Sequence, residues 1–210
     1  MATRVPSPPS TVRKRPRQAR SLATTETILD ATAHILGERG WQGLTTNAVA
    51  DAAGVSIGSI YQYFPNKIAL TEAVRRRHFD SVISVLRAAA DGKMSRSRRM
   101  AALVDGMIAV HSRYPAAWRI LLEECPTGPD TQDTHKSFET EWRKGYEAVV
   151  KMNSSRERGS VSVCAGVLGG ALAGAVHEAA RRGALGSPIV RKEIFFLVEA
   201  YLSPTLPSSS

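Results

Sequence analysis

The sequence has little of what a disulfide-built, exported or metal-holding protein needs. Only two cysteines occur among 210 residues, Cys125 and Cys164. They are too few for a disulfide framework and too far apart for a zinc or redox motif, so a reducing, cytoplasmic setting is expected. Residues 1–21 lack the apolar run of a secretory signal, being broken by Pro6, Pro8, Pro9 and Pro16 and studded with arginines. The longest uncharged stretch, 159–177, holds Gly166, Gly169, Gly170 and Gly174 together with two serines. That is poor material for spanning lipid, and it reads as a buried helix with no membrane partner. No phosphate-binding glycine loop or glutamate-containing zinc motif occurs, and nothing arranges Cys125 or a serine with one of the five histidines. An enzyme is therefore not expected. His111, His135, Glu123 and Cys125 lie at no metal-ligand spacing, so neither a metal nor a cofactor is expected.

What the chain does have is positive charge, unevenly placed. The formal net charge is +9. Residues 1–67 hold eight Lys and Arg against four Asp and Glu, residues 68–100 hold eight against three, and the remaining residues balance at twelve each. An excess confined to the first hundred residues points to a polyanion partner for that part. Residues 1–16 are rich in Pro, Ser and Arg with almost nothing apolar to bury, so they are expected to form a disordered arm. Arg13, Lys14, Arg15, Arg17 and Arg20 lie in or just beyond it. A basic arm of this kind follows a phosphate backbone or enters a minor groove.

Periodicity predicts helices throughout. Leu22, Ile28, Ala31, Ile35 and Leu36 recur at steps of three and four from about Ser21, until Gly37 and Gly40 would end the first helix. Thr45 or Thr46 caps a second of about two turns, which Gly54 closes in a left-handed conformation. Ser56 caps a third, Ile57 to Phe64, which Pro65 stops. Asn66 caps a fourth that starts at Lys67 and runs past Leu86. Further helices are expected near 97–113, 115–124, 132–153, 159–182 and 188–202. No segment alternates like a strand, so the fold class is all-α with about nine helices.

Two short helices joined by Gly54-Val55-Ser56 and braced by a longer helix before them make a helix-turn-helix. Val49, Ala50, Ala53, Val55, Ile60 and Phe64 would meet between the helices, leaving small polar residues outside. Gly58 costs about 1 kcal/mol relative to alanine inside a helix, which asks for a reason such as close approach to a groove. Lys67 in the first turn of a helix opposes the helix dipole unless an anion lies nearby.

The stretch from Leu44 to Lys67, with its Gly-Val-Ser turn, the glycine two residues later, Tyr61-Gln62-Tyr63-Phe64 and the lysine three after Phe64, closely resembles the DNA-binding motif of TetR-family regulators. The likeness covers roughly residues 20–70. The resemblance implies phosphate contacts from Thr46, Ser56, Tyr61 and Lys67, and a major-groove face formed by Gly58, Ser59, Gln62 and Tyr63. Gln62 has the donor and acceptor pattern that suits a base edge, adenine above all. Asn47 departs from members that carry a basic residue there.

The resemblance also implies a homodimer formed through the last two helices. Gly166, Gly170 and Gly174 would give one of them a smooth stripe, and Val190, Ile194, Leu197, Val198 and Tyr201 would give the other an apolar face. It implies a small-molecule effector held among the central helices. Met107, His111, Trp118, Leu122, Phe138, Trp142 and Tyr146 are the candidate lining, and the default is an apolar or aromatic pocket. The expected organisation is a basic arm over 1–16, a DNA-binding domain over 17–67, an effector-binding and dimerisation domain over 68–203, and a disordered tail over 204–210. The expected function is a sequence-specific transcriptional repressor that a small molecule releases from a double-stranded operator in the bacterial cytoplasm. The alternative is a DNA-binding dimer without effector control.

Overall fold

The computed structural model describes residues 14–126, 129–153 and 160–203, with side chains described from residue 21 onward except at 129–131. Among the described residues there are nine α-helices and no strand. They are α1 (Lys14–Gly43), α2 (Thr46–Ala53), α3 (Ile57–Tyr63), α4 (Lys67–Ala89), α5 (Arg96–Ser112), α6 (Pro115–Glu123), α7 (Pro129–Asn153), α8 (Val161–Arg181) and α9 (Pro188–Leu202).

The first helix departs from expectation at both ends. It begins at Lys14 rather than near Ser21, so Lys14, Arg15, Arg17 and Arg20 lie on a helix and not in a loose arm. Pro16 does not prevent this, because N–H groups of the first turn have no intrahelical acceptor to lose. Arg13 and the rest of the expected arm, like the expected tail over 204–210, lie outside the described residues. At the other end Gly37 does not stop the helix. A Cβ there would stand 3.3 Å from the backbone nitrogen of Ala117, so the glycine is where α6 crosses α1 closely. Gly40 makes the break, with φ of 67°, a value L side chains avoid.

The caps of the next three helices are side-chain oxygens. Thr45 accepts from the Ala48 amide, Ser56 from Ser59 and Asn66 from Ala69, at 2.9 to 3.1 Å. Gly54 closes α2 with φ of 65°. Each cap satisfies a donor that the helix start leaves open.

Two hydrophobic clusters form the interior. The first joins Ile28, Ile35 and Leu36 of α1 with Val49 of α2, Ile60 of α3, Leu70 of α4, and Ala117, Ile120 and Leu121 of α6. The second joins Leu86 of α4 with Leu103 of α5, Val149 of α7, Leu168 and Leu172 of α8, and Val198 of α9. Helix α4 belongs to both. With 23 residues it is about 35 Å long, a rod that runs from the helix-turn-helix into the heart of the second cluster.

Polar links reinforce the junction. Arg75, with a side chain only 1 % exposed, pairs with Glu72 and donates to the Leu121 carbonyl at 2.7 Å, which ties α4 to α6. Arg77 of α4 bonds both Glu26 and Asp30 of α1.

Candidate nucleic-acid interface and ligand cavity

Helices α2 and α3 present one polar surface. Their apolar residues Val49, Ala50, Ile60 and Phe64 are buried, and Ser56, Gly58, Tyr61, Gln62 and Tyr63 are exposed. Thr46 and Ser59 are partly exposed. The Thr46 hydroxyl meets the Tyr61 hydroxyl at 3.2 Å, which links the start of α2 to α3. Tyr63 is held in the same way by the Ser21 hydroxyl of α1 at 3.1 Å. Ser56 is occupied twice, by the Ser59 amide and the Ser59 hydroxyl. Residues 54–58 also spell Gly-x-Ser-x-Gly, yet here the serine caps a helix between two helices, unlike the strand-to-helix elbow of a hydrolase nucleophile.

Among the described residues nothing requires glycine at position 58. A Cβ there would meet only the Ser56 hydroxyl, at 3.8 Å. The space it leaves opens outward, onto the face shared by Gln62 and Tyr63. Lys67 sits at the head of α4 with its ammonium 4.0 Å from the centre of the Trp41 ring and 3.4 Å from the Trp41 carbonyl. Trp41 thus holds the Lys67 ammonium at the head of α4, a contact that spacing alone gave no sign of.

Between α4, α5, α6, α7 and α8 lies a cavity of about 270 Å³. All seven candidate lining residues, Met107, His111, Trp118, Leu122, Phe138, Trp142 and Tyr146, border it. Sequence reasoning missed the four residues that give it its character: Phe79, His78, His135 and His177. Phe79 stacks on Phe138 with ring centroids 3.9 Å apart, and His78 stacks on Trp118 at 3.6 Å. His111 lies 5.0 Å from both His78 and His177. Their shared signal was position on the inward faces of α4, α7 and α8, legible only once the helix phases are known.

Burial favours the neutral imidazole at His78, His111 and His177. His78 is pushed down to about 3, first by desolvation and then by His111 and His177. Desolvation lowers His111 to about 4 against the opposing bond to the Met107 carbonyl, and it lowers His177 as well. Among the described residues no group of three or more His, Cys, Asp or Glu is arranged to hold a metal ion. Gly169 makes the floor possible, since a Cβ there would stand 2.3 Å from the Trp142 ring.

The last two helices differ from expectation residue by residue. Ile194 and Val198 are buried in the chain's own second cluster, so helical phase turns them inward. Tyr201 is half-buried and donates to the Cys164 carbonyl at 3.3 Å, and Val190 packs against the same cluster. Leu197 remains exposed, and Gly166, Gly170 and Gly174 have open space where a Cβ would stand. Beside them lie exposed apolar residues the sequence reading did not single out: Val163, Val167, Ile189 and Phe196. Helix α8 is long and apolar enough to cross a membrane by length and composition, but its Ala165, Leu168, Leu172 and Val176 are embedded in the helical core.

Residues 28–74 match the family model of bacterial regulatory proteins, tetR family. The HTH-type transcriptional activator FasR of Mycolicibacterium smegmatis is 29 % identical over 96 residues, which are 46 % of this chain and 44 % of that protein. The HTH-type transcriptional repressor KstR of Mycobacterium tuberculosis is 40 % identical over 55 residues, 26 % of this chain and 25 % of that one. The chain thus spans less than half the length of these curated relatives. A solved complex of SmeT with triclosan aligns over 86 % of this chain and 90 % of its own, at a TM-score of 0.65 and 19 % identity; SmeT is the repressor of a Stenotrophomonas maltophilia multidrug efflux pump. At that identity the likeness establishes the fold.

Proposed function

Because the chain belongs, through its N-terminal domain, to the tetR family of bacterial regulatory proteins, we propose that it is a dimeric, sequence-specific DNA-binding repressor released from its operator by a small molecule. The observation that carries this reading is the exposed face of α3, where Ser56, Gly58, Tyr61, Gln62 and Tyr63 lie outward and where, among the described residues, no contact requires the glycine at 58. In a major groove, Ser59, Gln62 and Tyr63 would face base edges. Thr46, Ser56, Tyr61 and Lys67 would contact phosphates, with Lys14, Arg15, Arg17 and Arg20 following the backbone from α1.

Two copies join across the uncovered side of α8 and α9. Val163, Val167, Ile189 and Phe196, each at least 52 % exposed, flank the open stripe of Gly166, Gly170 and Gly174. Exposed apolar groups gathered in this way mark a surface that another copy covers. A two-fold pair sets two α3 helices on successive major grooves and gives a roughly palindromic operator. The aromatic cavity is the effector site. SmeT, of similar fold, is solved with triclosan, which favours a sensor over a dimer without effector control.

Selection of bound duplexes from a random pool yields the operator, and a promoter carrying it reports the direction of control. Transcription is expected to fall when the protein is present. A rise would make it an activator, as FasR is, and recovery of no sequence at all would overturn the proposal.

A further inference from the structure

The effector reading leaves open what kind of molecule the cavity accepts, and the polar atoms on its wall narrow the answer. We propose that the cavity takes a small weak acid with an aromatic body, a phenol or an aromatic carboxylic acid of one or two rings, which enters with its proton and donates it to Nε2 of His111. This rests on the cavity being the effector site.

Three observations point the same way. The body of the ligand is set by the walls, because Phe79, Phe138, Trp118, Trp142 and Tyr146 surround a space of about 270 Å³. That is small for a ligand site and suits one or two rings rather than a long chain or a drug-sized compound.

The acidic group is set by His111. Its Nδ1 lies 2.8 Å from the Met107 carbonyl, which accepts only, so Nδ1 carries the proton and donates. The neutral ring then has a lone pair on Nε2, for which no partner exists among the described residues. On the cavity wall that lone pair is an acceptor that a ligand O–H can fill. His177 accepts the Trp118 indole N–H at its Nε2 at 3.2 Å, so its proton sits on Nδ1, and among the described residues no hydrogen bond joins it to His111.

A second contact comes from Tyr146. The side chain is 1 % exposed and borders the cavity, and its hydroxyl has no hydrogen-bond partner among the described residues. It is a donor awaiting an acceptor atom on the same molecule.

The surrounding charges exclude the other classes. On the wall itself the titratable groups are His78 of α4, His111 of α5, His135, Glu139 and Tyr146 of α7, and His177 of α8. Among the described residues no Lys or Arg lines it, so an anion arriving without a proton finds no fixed cation there. Arg77 and Arg113 lie in the cleft beyond His78, bound to Asp30. Arg119, Glu123, Glu178 and Arg181 lie in the cleft beyond Trp118 and His177, paired among themselves. A permanent cation would meet a cluster of imidazoles with Glu139 alone, exposed at the rim, to neutralise it. At neutral pH a carboxylic acid, ionised in solution, is therefore bound as its carboxylate plus one proton taken from solvent, whereas a phenol enters with the proton it already carries.

The test uses the full chain with three probes of one shape: 2-naphthoic acid, its methyl ester and (2-naphthyl)trimethylammonium, followed by quenching of tryptophan fluorescence and by calorimetry. The acid is expected to bind with an affinity that falls tenfold per pH unit from pH 6 to 8, as uptake of one proton requires. The ester, which has no proton to donate, is expected to bind about tenfold more weakly than the acid at pH 6 and without pH dependence. The cation is not expected to bind. His111→Phe should bring the acid down to the level of the ester or below it at pH 6, because most of the acid is ionised in solution, and leave the ester unchanged; if that variant does not fold, the pH comparison on the native chain decides alone. Acid binding that is independent of pH, or equal binding of acid and ester, overturns the ligand class while leaving the cavity a ligand site. Failure of all three probes up to millimolar concentration overturns both.

Discussion

Arg77 on α4 donates to the carboxylate of Asp30 on α1 at 2.7 Å. Arg113, at the end of α5, reaches the same carboxylate at 2.9 Å, so one acidic side chain of the DNA-binding part is held by two cations from the part that surrounds the cavity. His78, which lines that cavity, follows Arg77 by one residue on the same helix. On the proposed effector reading, a ligand that displaced α4 at His78 would pull on Asp30.

Asp30→Asn keeps the shape of the side chain and removes its charge. The carboxylate is 39 % exposed, so the loss in stability should be about 1 kcal/mol or less. The coupling between ligand and DNA should fall by more, since coupling energies of this kind are about 1 to 3 kcal/mol in total. The variant should bind the selected duplex and the cavity ligand separately while the ligand no longer releases the duplex efficiently. Release equal to that of the native chain would remove this clamp from the path.

Lys67 and Gln62 should fail in different ways. Lys67→Ala is expected to weaken binding to all duplexes by a similar factor and to reduce the salt slope by about one. Gln62→Ala is expected to change the order of preference among operator variants, with roughly 1 to 3 kcal/mol of discrimination lost at one base pair. A uniform loss for Gln62→Ala would assign it to the backbone, and an unchanged slope for Lys67→Ala would leave that lysine to its contact with Trp41.

The proposed dimer face can be separated from the core by exposure. Phe196 is 66 % exposed and Val198 is fully buried, although they lie two residues apart on α9. Phe196→Glu should leave the melting of the subunit nearly unchanged and turn a dimer into a monomer in analytical ultracentrifugation. Val198→Ala should instead destabilise the fold, by roughly 1 to 3 kcal/mol. A Phe196→Glu chain that sediments as a dimer would place the interface elsewhere.

Acid should loosen the cavity. His78 and His111 are held near 3 and 4, well below the ordinary histidine value of 6.5, so the unfolded chain binds protons that the folded chain does not. Stability is then full above about pH 6.5 and falls as pH drops toward 4, by up to about 1.4 kcal/mol per pH unit for each such histidine. Denaturant melts at pH 7.5, 6, 5 and 4.5 measure this. A His111→Phe variant should show a shallower loss, and an equal slope would assign the effect to other groups.

Much of the helical layout is legible because caps and breakers sit where the chain needs them. Thr45, Gly54, Ser56 and Asn66 each define a helix end by local hydrogen bonding or by backbone conformation, and local chemistry can be read along the chain. Gly37 shows where this reading stops. The same residue type that ends a helix also permits close crossing, and only the position of Ala117 distinguishes the two. The cavity residues on α5, α6 and α7 were recognisable as bulky groups on inward faces. His78 and His177 were not, because a histidine at an inward position and one at the surface leave the same mark in the sequence. Ile194 and Phe196 make the same point for pairing, since both are apolar and helical phase alone decides which faces the core.

The central claim is that α2 and α3 read double-stranded DNA through small polar side chains. It is tested most directly by the anisotropy of a labelled selected duplex and of the same duplex scrambled, titrated with the full chain from 50 to 200 mM salt without ligand. The account predicts a preference of about 10³-fold or more for the selected sequence, with log affinity falling linearly against log salt. Equal affinity for the scrambled duplex, or no binding to either at low salt, would contradict it.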